Sequence, residues 1–211
     1  MIQFKKENIT KRSDLEVSDS ISAYLGHSAQ QNPNAYEAFF NLIQEVKPSR
    51  IIEIGTAMGG FTLFLKMCVN DFNLDTEIIS YEVDDRESYN FIRSHGIDIR
   101  IKNVFHENYT GVTQEIIDLI QNDGRCIILC DGGHKISEFN LLSKYLKSGD
   151  IIMAHDYAST PEYFEEFVKN KQWNWLEITD NDIEDAVVLN NLQPYMKESF
   201  DNAVWVCKIK Q

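Results

Sequence analysis

Residues 51–62 read IIEIGTAMGGFT, and this stretch decides the predicted fold. A β-branched apolar strand ends at an acidic residue, turns through glycines and continues into an apolar helix pattern. Glycines at such a turn leave backbone N–H groups at the helix N-terminus open to a ligand. The spacing is Gly-x-x-x-Gly-Gly, with Ala57 where the dinucleotide-binding fingerprint has the glycine that lets backbone approach a pyrophosphate. The stretch therefore predicts a strand–loop–helix unit for a ligand that does not need this close phosphate contact.

Strands and helices alternate through the rest of the chain. Predicted strands lie at 50–54, 77–82, 97–102, 126–131, 150–155, 173–178 and 203–209, the last of them at a sheet edge. Predicted helices lie at 34–47 and near 60–70, 85–95, 112–122, 135–147 and 160–170. Short apolar strands separated by helices indicate a parallel sheet that is covered on both faces. We predict an α/β fold: a Rossmann-like, doubly wound, mostly parallel seven-stranded sheet with an antiparallel C-terminal strand.

Length and composition narrow the class of protein. A chain of 211 residues is long enough for one domain, and we divide it into an N-terminal extension, 1–33, and a single domain, 34–211. The extension is expected to serve as a lid or as a homo-oligomer contact. The net charge of −13 repels phosphate backbones, so nucleic acid is not expected as a partner.

The cysteines and the apolar segments indicate the cellular location of the protein. The four cysteines contain no C-x-x-C pair, which excludes a zinc signature and suits free thiols in a reducing compartment. No apolar run has the length of a signal peptide or a membrane span. We therefore expect a cytoplasmic protein without a membrane partner.

Polar residues follow each of the first five strands of the predicted sheet. In a doubly wound sheet, ligands bind at the carboxyl ends of the strands, near the point where the strand order reverses. We therefore expect the ligand site to be formed by the residues at these strand ends, which are Glu53 and Gly55, Glu82, Asn103, Asp131 and Asp156.

Glu82 ends the second strand, 23 residues beyond Gly59. An acid at this position can accept hydrogen bonds from both ribose hydroxyls of an adenosyl group. The same geometry serves NAD, so Glu82 indicates an adenosyl ligand without choosing between the two. The alternative is an acid that interacts with a helix N-terminus, a role that Asp84 could fill instead.

Asp131 and Asp156 end adjacent predicted strands, so their carboxylates are expected to converge. Two such carboxylates repel each other unless a proton or a cation lies between them, and hard oxygen ligands suit Mg²⁺ or another divalent ion. His134 follows Asp131 by three residues and is expected to face the same pocket, where a neutral imidazole could accept a proton from a bound hydroxyl. The alternative for Asp131 is that it caps the following helix.

The pattern E-x-G-x-x-x-G at residues 53–59 resembles the first motif of the class I S-adenosylmethionine-dependent methyltransferases. This resemblance implies that Glu53 supports the glycine loop and the methionine amino end of the cofactor. The cofactor-binding set that we predict is Glu53, Gly55, Thr56, Gly59, Glu82, Asn103 and Asp131.

Two further motifs narrow the resemblance. D-G-x-H at Asp131–His134 and G-D-I-I-x-x-H-D-Y at 149–157 resemble the metal-dependent O-methyltransferases, including the cephalosporin hydroxylase and macrolide sugar methyltransferase group. The resemblance covers roughly residues 34–160 and implies that Asp131 and Asp156 bind the metal while His134 acts as the base. This chain has His155 where relatives have an acid or amide beside the fifth-strand acid, so we count His155 among the expected metal ligands.

The predicted reaction is O-methylation of a small molecule with vicinal oxygens, such as a sugar diol or a catechol. A divalent ion would lower the pKa of the acceptor hydroxyl and orient it. The alternatives are an NAD-dependent oxidoreductase and a non-catalytic protein that binds an adenosyl ligand. A nucleic-acid methyltransferase is disfavoured because the basic face and the Asn/Asp-Pro-Pro-aromatic loop that it needs are not found in the sequence.

Overall fold

The computed structural model describes residues 9–11 and 22–211. The predicted extension, 1–33, therefore lies only partly within the described residues. Its described part forms a small antiparallel sheet of β1 (Ile9–Lys11), β2 (Ser22–Tyr24) and β3 (His27–Ser28). This small sheet precedes the main α/β unit in the chain.

The main sheet has seven strands. They are β4 (Arg50–Ile54), β5 (Glu77–Glu82), β6 (Asp98–Ile101), β7 (Cys126–Cys130), β8 (Ile151–His155), β9 (Leu192–Pro194) and β10 (Trp205–Lys210). Their order is β6-β5-β4-β7-β8-β10-β9. The first five strands are parallel, whereas β10 runs antiparallel to both β8 and β9. The predicted doubly wound, mostly parallel sheet with an antiparallel C-terminal strand is confirmed.

The helices connect these strands. They are α1 (Pro33–Val46), α2 (Gly60–Asp71), α3 (Tyr89–Arg93), α4 (Gln114–Gln121), α5 (Lys135–Leu142), α6 (Pro161–Tyr163), α7 (Asp180–Leu189) and α8 (Lys197–Asp201). A π-helical turn at Phe164–Val168 extends α6, and 3₁₀ turns lie at Glu107–Tyr109 and Ser143–Tyr145. Helix α1 begins with Asn32 as its cap and Pro33 in its first turn, and it ends at Lys47 in a left-handed conformation just before Pro48.

The sheet separates two apolar layers. Successive strand residues point to opposite faces, so Ile51 packs with α1 and α2 while its neighbour Ile52 packs on the other face with α4 and α5. Both faces of the sheet are therefore covered, and the central strands β4, β7 and β8 are buried throughout.

The predicted strand at 173–178 is wrong. These residues, all within the described part of the chain, contribute only isolated bridges at Trp173 and Ile178. The backbone N–H groups of Glu177 and Ile178 donate to the carbonyl of Asp156 instead of to a strand, and Trp173 packs in a separate small cluster. The seventh strand is β9, later in the chain.

The last strand does not form the sheet edge. β10 lies between β8 and β9, and its first four residues, Trp205 to Lys208, are buried. A dense apolar run is typical of a strand that is covered on both faces, so this run indicated an internal strand rather than an edge.

The N-terminal residues pack directly on the start of α2. A Cβ at Gly60 would lie 2.2 Å from the carbonyl oxygen of His27 and 2.6 Å from that of Ser28. Only glycine permits this approach, because real Cβ atoms do not come so close to backbone oxygen. The described part of the extension is thereby attached to the glycine loop that follows β4.

Candidate active site

Two cavities open at the carboxyl ends of the parallel strands, and both are lined by Gly55. The larger, of about 420 Å³, lies over the ends of β4, β7 and β8. The smaller, of about 100 Å³, lies over the ends of β5 and β6. The strand-end residues singled out from the sequence are divided between these two spaces.

Gly55 is required where the loops after β4 and β7 meet. Its φ is +93°, and a Cβ there would lie 2.3 Å from the carbonyl oxygen of Asp131. Any other side chain would force the two loops apart. The first glycine of the motif therefore permits close contact between two backbone segments. Gly59, also at positive φ, is the residue before α2.

Ala57 also lies in the left-handed region, with φ of 49°, which is uncommon for a residue with a Cβ. Two hydrogen bonds hold it there. Its N–H donates to Glu82 Oε2 at 3.0 Å, and its carbonyl accepts from the Tyr89 hydroxyl at 2.6 Å. The glycine loop is thus fixed by side chains of β5 and α3.

Glu82 and Asn103 line the smaller cavity together. Besides the bond from Ala57, Glu82 accepts from the backbone N–H of Val83 at 2.8 Å, and Asn103 Oδ1 accepts from that of Phe105 at 2.9 Å. The next helix, α3, begins only at Tyr89, so Glu82 does not serve as an acid at its N-terminus. The structure therefore places both predicted adenosyl-binding residues side by side.

Glu53 is buried on β4 and borders the larger cavity. Burial raises its pKa to about 7, although hydrogen bonds from Ser80 and Thr62 act in the opposite direction. The Thr62 hydroxyl donates to Glu53 Oε2 at 2.6 Å, and the hydroxyls of Thr56 and Ser80 are also 2.6 Å apart. A cationic group in the cavity would favour the ionised carboxylate.

Asp131, His155 and Asp156 form a compact cluster in the larger cavity. One potential ligand atom from each residue lies within 4.8 Å of the other two. His155 Nδ1 is 3.1 Å from Asp131 Oδ1 and 3.6 Å from Asp156 Oδ1. Adjacent ligand atoms around a small divalent ion, with bonds of about 2.1 Å, are roughly 3 Å apart. The donor types and their separations therefore fit such an ion.

The environment of Asp156 favours its charged form. Burial by itself would raise its pKa, but the positive charges of His155 and Lys135 and hydrogen bonds from Lys135 and Trp173 hold the pKa below its usual value. Trp173 Nε1 donates to Asp156 Oδ1 at 2.5 Å. The backbone of Asp156 has φ of 57°, a conformation that aspartate tolerates better than most residues.

His155 lies between two indole rings, those of Trp173 and Trp205, at centroid distances of 5.0 and 4.9 Å. Burial by itself would lower its pKa, but the carboxylates of Asp156 and Asp131 outweigh this effect and raise it. Its Nε2 has no hydrogen-bond partner among the described residues. The ring is therefore oriented by its contacts through Nδ1 and by stacking.

Lys135 is a member of this cluster that the sequence interpretation missed. Its ammonium lies 2.9 Å from Asp156 Oδ2, 2.9 Å from Glu177 Oε2 and 3.8 Å from Asp131 Oδ1. Its position four residues after Asp131, at the start of a helix, was the available signal.

Gln31 is the second missed residue. It is buried, its Nε2 donates to Asp131 Oδ2 at 2.8 Å, and its Oε1 accepts from Trp205 Nε1 at 2.8 Å. An indole nitrogen can only donate, so the amide orientation is determined and Asp131 must accept. The contact between Gln31 and Asp131 spans 100 positions, and no local pattern in the sequence announces it.

The structure does not bring His134 into the larger cavity. The residue is exposed, its ring lies 4.5 Å from that of Tyr109, and the described residues that line this cavity do not include it. The helix begins at Lys135 as predicted, with His134 as the residue before it, and Lys135 rather than His134 lies against the carboxylates. The expectation that His134 faces Asp131 and Asp156 is corrected accordingly.

The capping alternative for Asp131 is also wrong. The residue before α5 is His134, and the N–H groups of Gly132 and His134 donate to the buried Glu138 carboxylate, each at 3.1 Å. The side chain of Asp131 is therefore available to the cluster rather than used at the helix N-terminus.

Several solved structures share this fold, among them structures of CmcI and of a methyltransferase. An apo structure of CmcI is similar with a TM-score of 0.61 and 13% identity, over 96% of this chain and 82% of that one. A CmcI structure with Mg and SAM has a TM-score of 0.56 and 13% identity, over 89% and 76%. A Podospora anserina methyltransferase with bound SAH has a TM-score of 0.54 and 12% identity, over 95% and 84%. At these identities the likeness shows the fold.

The sheet order is that of a Rossmann-like fold, and a family model gives the class of protein. The family model for rhamnosyl O-methyltransferase/CmcI matches residues 17–195, most of the chain, and the protein belongs to this family. This membership confirms the resemblance seen in the motifs and makes the protein an O-methyltransferase rather than an oxidoreductase. A search of the curated proteins gives no significant match. Within residues 9–11 and 22–211, every helix falls short of the length and apolar character needed to cross a bilayer.

Proposed function

We propose that this O-methyltransferase moves the methyl group of S-adenosylmethionine to an oxygen of a small acceptor with vicinal oxygens, with a divalent cation bound at Asp131 and Asp156. One observation carries the proposal. Two cavities share Gly55, and one contains Glu82 and Asn103 while the other contains the Asp131–His155–Asp156 cluster. The adenosyl part of the cofactor and the acceptor would thus lie on either side of one glycine loop.

The cofactor would extend across this loop. Glu82 would accept hydrogen bonds from the ribose, with Asn103 beside it, and Glu53 would face the amino end of the methionine from the larger cavity. Gly55, Thr56 and Gly59 supply the intervening backbone, which approaches the ligand without obstruction. S-Adenosylmethionine supplies an already activated methyl group, so the protein mainly positions and desolvates the acceptor oxygen.

The metal would be held by Asp131 and Asp156, with His155 as the third ligand. A CmcI structure of the same fold is described with both Mg and SAM, which supports this assignment. A divalent ion supplies charge that lowers the pKa of an acceptor hydroxyl and fixes its orientation. Gln31 and Trp173 each donate a hydrogen bond to one of the two carboxylates and so help to orient it.

The walls of the larger cavity suit a small acceptor. A volume of about 420 Å³ is in the range of small-molecule sites, and Trp173 and Trp175 provide flat apolar surface beside the carboxylates. Ala29 and Gln30 line the same cavity, which supports a lid role for the N-terminal extension. The four cysteines are free and buried, and this supports the expected cytoplasmic location.

The test is a calorimetric titration with S-adenosylmethionine followed by transfer of its labelled methyl group to a panel of sugar diols and catechols, with Mn²⁺ present. We expect one-to-one binding, and product from acceptors with vicinal oxygens only. Glu87→Ala, which removes a nearby exposed acid, should bind the cofactor like the wild type. Folded protein that fails to bind millimolar S-adenosylmethionine would contradict the proposal. Binding without transfer to any acceptor would favour a non-catalytic binding protein.

A further inference from the structure

Lys135 occupies an unusual position for a lysine. Its side chain is only 6% exposed, and its ammonium lies among the three carboxylates of Asp131, Asp156 and Glu177. A fourth oxygen, the carbonyl of Gly132, accepts from it at 3.0 Å. An ammonium is a compact, strongly hydrated charge, and here protein oxygens replace its hydration shell.

These oxygens include those that a divalent ion would need. Asp156 Oδ2 contacts Lys135, and Asp131 Oδ1 lies 3.8 Å from the same ammonium. An ion bound to both aspartates would therefore lie within a few ångströms of Nζ. Two cations at that distance repel each other strongly, because a partly buried site screens charge far less than bulk water does.

The Lys135 ammonium has an alternative ion-pair partner, Glu177. Its ion pair with Glu177 does not involve the aspartates, and the Glu177 side chain is 44% exposed. The four-carbon stem of a lysine permits a small swing toward Glu177 that would release Asp156 while one ion pair remains. The other groups that contact the aspartates are all buried: His155, whose Nδ1 lies 3.1 Å from Asp131 Oδ1, and the neutral donors Gln31 and Trp173.

We propose that Lys135 is a tethered cation of the Asp131–Asp156 pair, and that a divalent ion binds there only in exchange for its ammonium group. The inference rests on the proposed metal assistance. Lys135 would then have two roles. It neutralises the cluster when no metal is present, and it sets the metal affinity because its ammonium must move toward Glu177 before the metal can bind.

The first test measures Mn²⁺ affinity by calorimetry in wild type, Lys135→Met and Lys135→Gln. Both variants remove the competing charge, and methionine keeps the length of the buried stem. We expect Mn²⁺ to bind about tenfold more tightly or better, because apparent affinity scales with the fraction of molecules whose site is open. Lys197→Met is the matched control: this exposed lysine pairs with Asp201 on α8 and its loss should not change Mn²⁺ affinity.

A second test uses the wild-type protein and is independent of the folding of any variant. Amine acylation followed by mass spectrometry reports how accessible each lysine is. Labelling of Lys135 should increase severalfold on saturation with Mn²⁺, whereas that of Lys197 should stay constant. Unchanged labelling at saturating Mn²⁺ overturns the exchange.

The outcomes separate this inference from the proposed function. Folded Lys135→Met and Lys135→Gln that bind Mn²⁺ no more tightly than wild type overturn the inference, even if S-adenosylmethionine binds normally in the same preparations. If Mn²⁺ binds to none of the proteins while the cofactor binds, the result contradicts both the exchange and the metal assistance and leaves the proposed cofactor site supported. Tighter Mn²⁺ binding in both variants, without cofactor binding, supports the exchange and contradicts the proposed function.

Discussion

The cofactor side and the carboxylate side of the site are built in different ways. On the cofactor side, the Gly55–Gly59 loop is held by a bond between Ala57 and Glu82 that spans 25 positions within one strand–helix–strand unit. On the carboxylate side, Gln31 connects Asp131, 100 positions away, with Trp205, 174 positions away. The cofactor side is formed by backbone groups that are close in sequence, whereas the carboxylate side is assembled from side chains that are far apart in the chain.

The comparison shows why the two halves should respond differently to change. Backbone N–H groups and glycines recognise the same ligand wherever a strand, loop and helix have this order. The carboxylate cluster instead depends on groups that neutralise, orient and exclude water from Asp131 and Asp156, and each of them comes from a different element. We expect changes on the cofactor side to alter cofactor binding alone and changes on the carboxylate side to alter metal binding and stability.

The largest expected effects come from a pair of variants that separate the halves. Glu82→Ala removes the carboxylate that we propose accepts two hydrogen bonds from the ribose, and it should weaken S-adenosylmethionine binding by about 100-fold, leaving Mn²⁺ affinity unchanged. Asp156→Asn should weaken Mn²⁺ binding by about 100-fold or more and leave cofactor affinity within a few-fold. Calorimetric titrations of both ligands check the pair. Equal losses of both ligands in either variant would show that the halves act as one site.

The next effect concerns Glu53, which lies between the two halves. Burial raises the pKa of its carboxyl to about 7 in the folded protein, from an ordinary value of 4.5 in the unfolded chain. The folded state therefore gains stability from the bound proton at low pH and loses it as pH rises through about 7. Relative to Glu53→Gln, wild type should lose about 2 to 3 kcal/mol of unfolding free energy between pH 5 and pH 8, measured with urea. Parallel pH curves would contradict the raised pKa, and Glu87→Gln is the control.

A smaller effect tests the contact between the extension and the glycine loop. Gly60→Ala places a methyl group against the carbonyl oxygens of His27 and Ser28 and should lower the unfolding free energy by about 2 kcal/mol. Gly133→Ala is the matched control, because no atom lies within 4 Å of the added carbon. Thermal unfolding compares the two. If Gly60→Ala is as stable as Gly133→Ala, the extension is not held at this contact.

The smallest effect concerns Gln31. Gln31→Leu leaves the buried Trp205 N–H and one oxygen of Asp131 without this partner, which should cost about 1 to 2 kcal/mol of unfolding free energy. Gln193→Leu, at an exposed glutamine on the edge strand β9, should change stability by less than about 0.5 kcal/mol. Urea unfolding distinguishes them. Equal stability of the two variants would mean that the N-terminal residues add nothing to the carboxylate side.

Much of the fold could be predicted because its signals are local. The apolar runs of β4, β5, β7 and β8 have the right length and spacing for a parallel sheet, and the polar residues that end them lie at one edge as expected. The prediction failed at 173–178, where apolar residues suited a strand. Trp173 instead packs in a separate small cluster and donates a hydrogen bond to Asp156.

The candidate site likewise has a part that local sequence predicts and a part that it does not. The sequence by itself determined the glycine loop, Glu82 and Asn103 on one side and the pair Asp131 and Asp156 on the other, since each ends its strand or follows it within two residues. Only the tertiary structure decided which residues surround the aspartates. The start of α5 directs Lys135 rather than His134 at them, and the burial of Gln31 and Trp205 in one core connects the N-terminus to Asp131. Local backbone conformation depends on neighbouring residues and can be predicted from them, whereas these contacts depend on the packing of elements far apart in the chain.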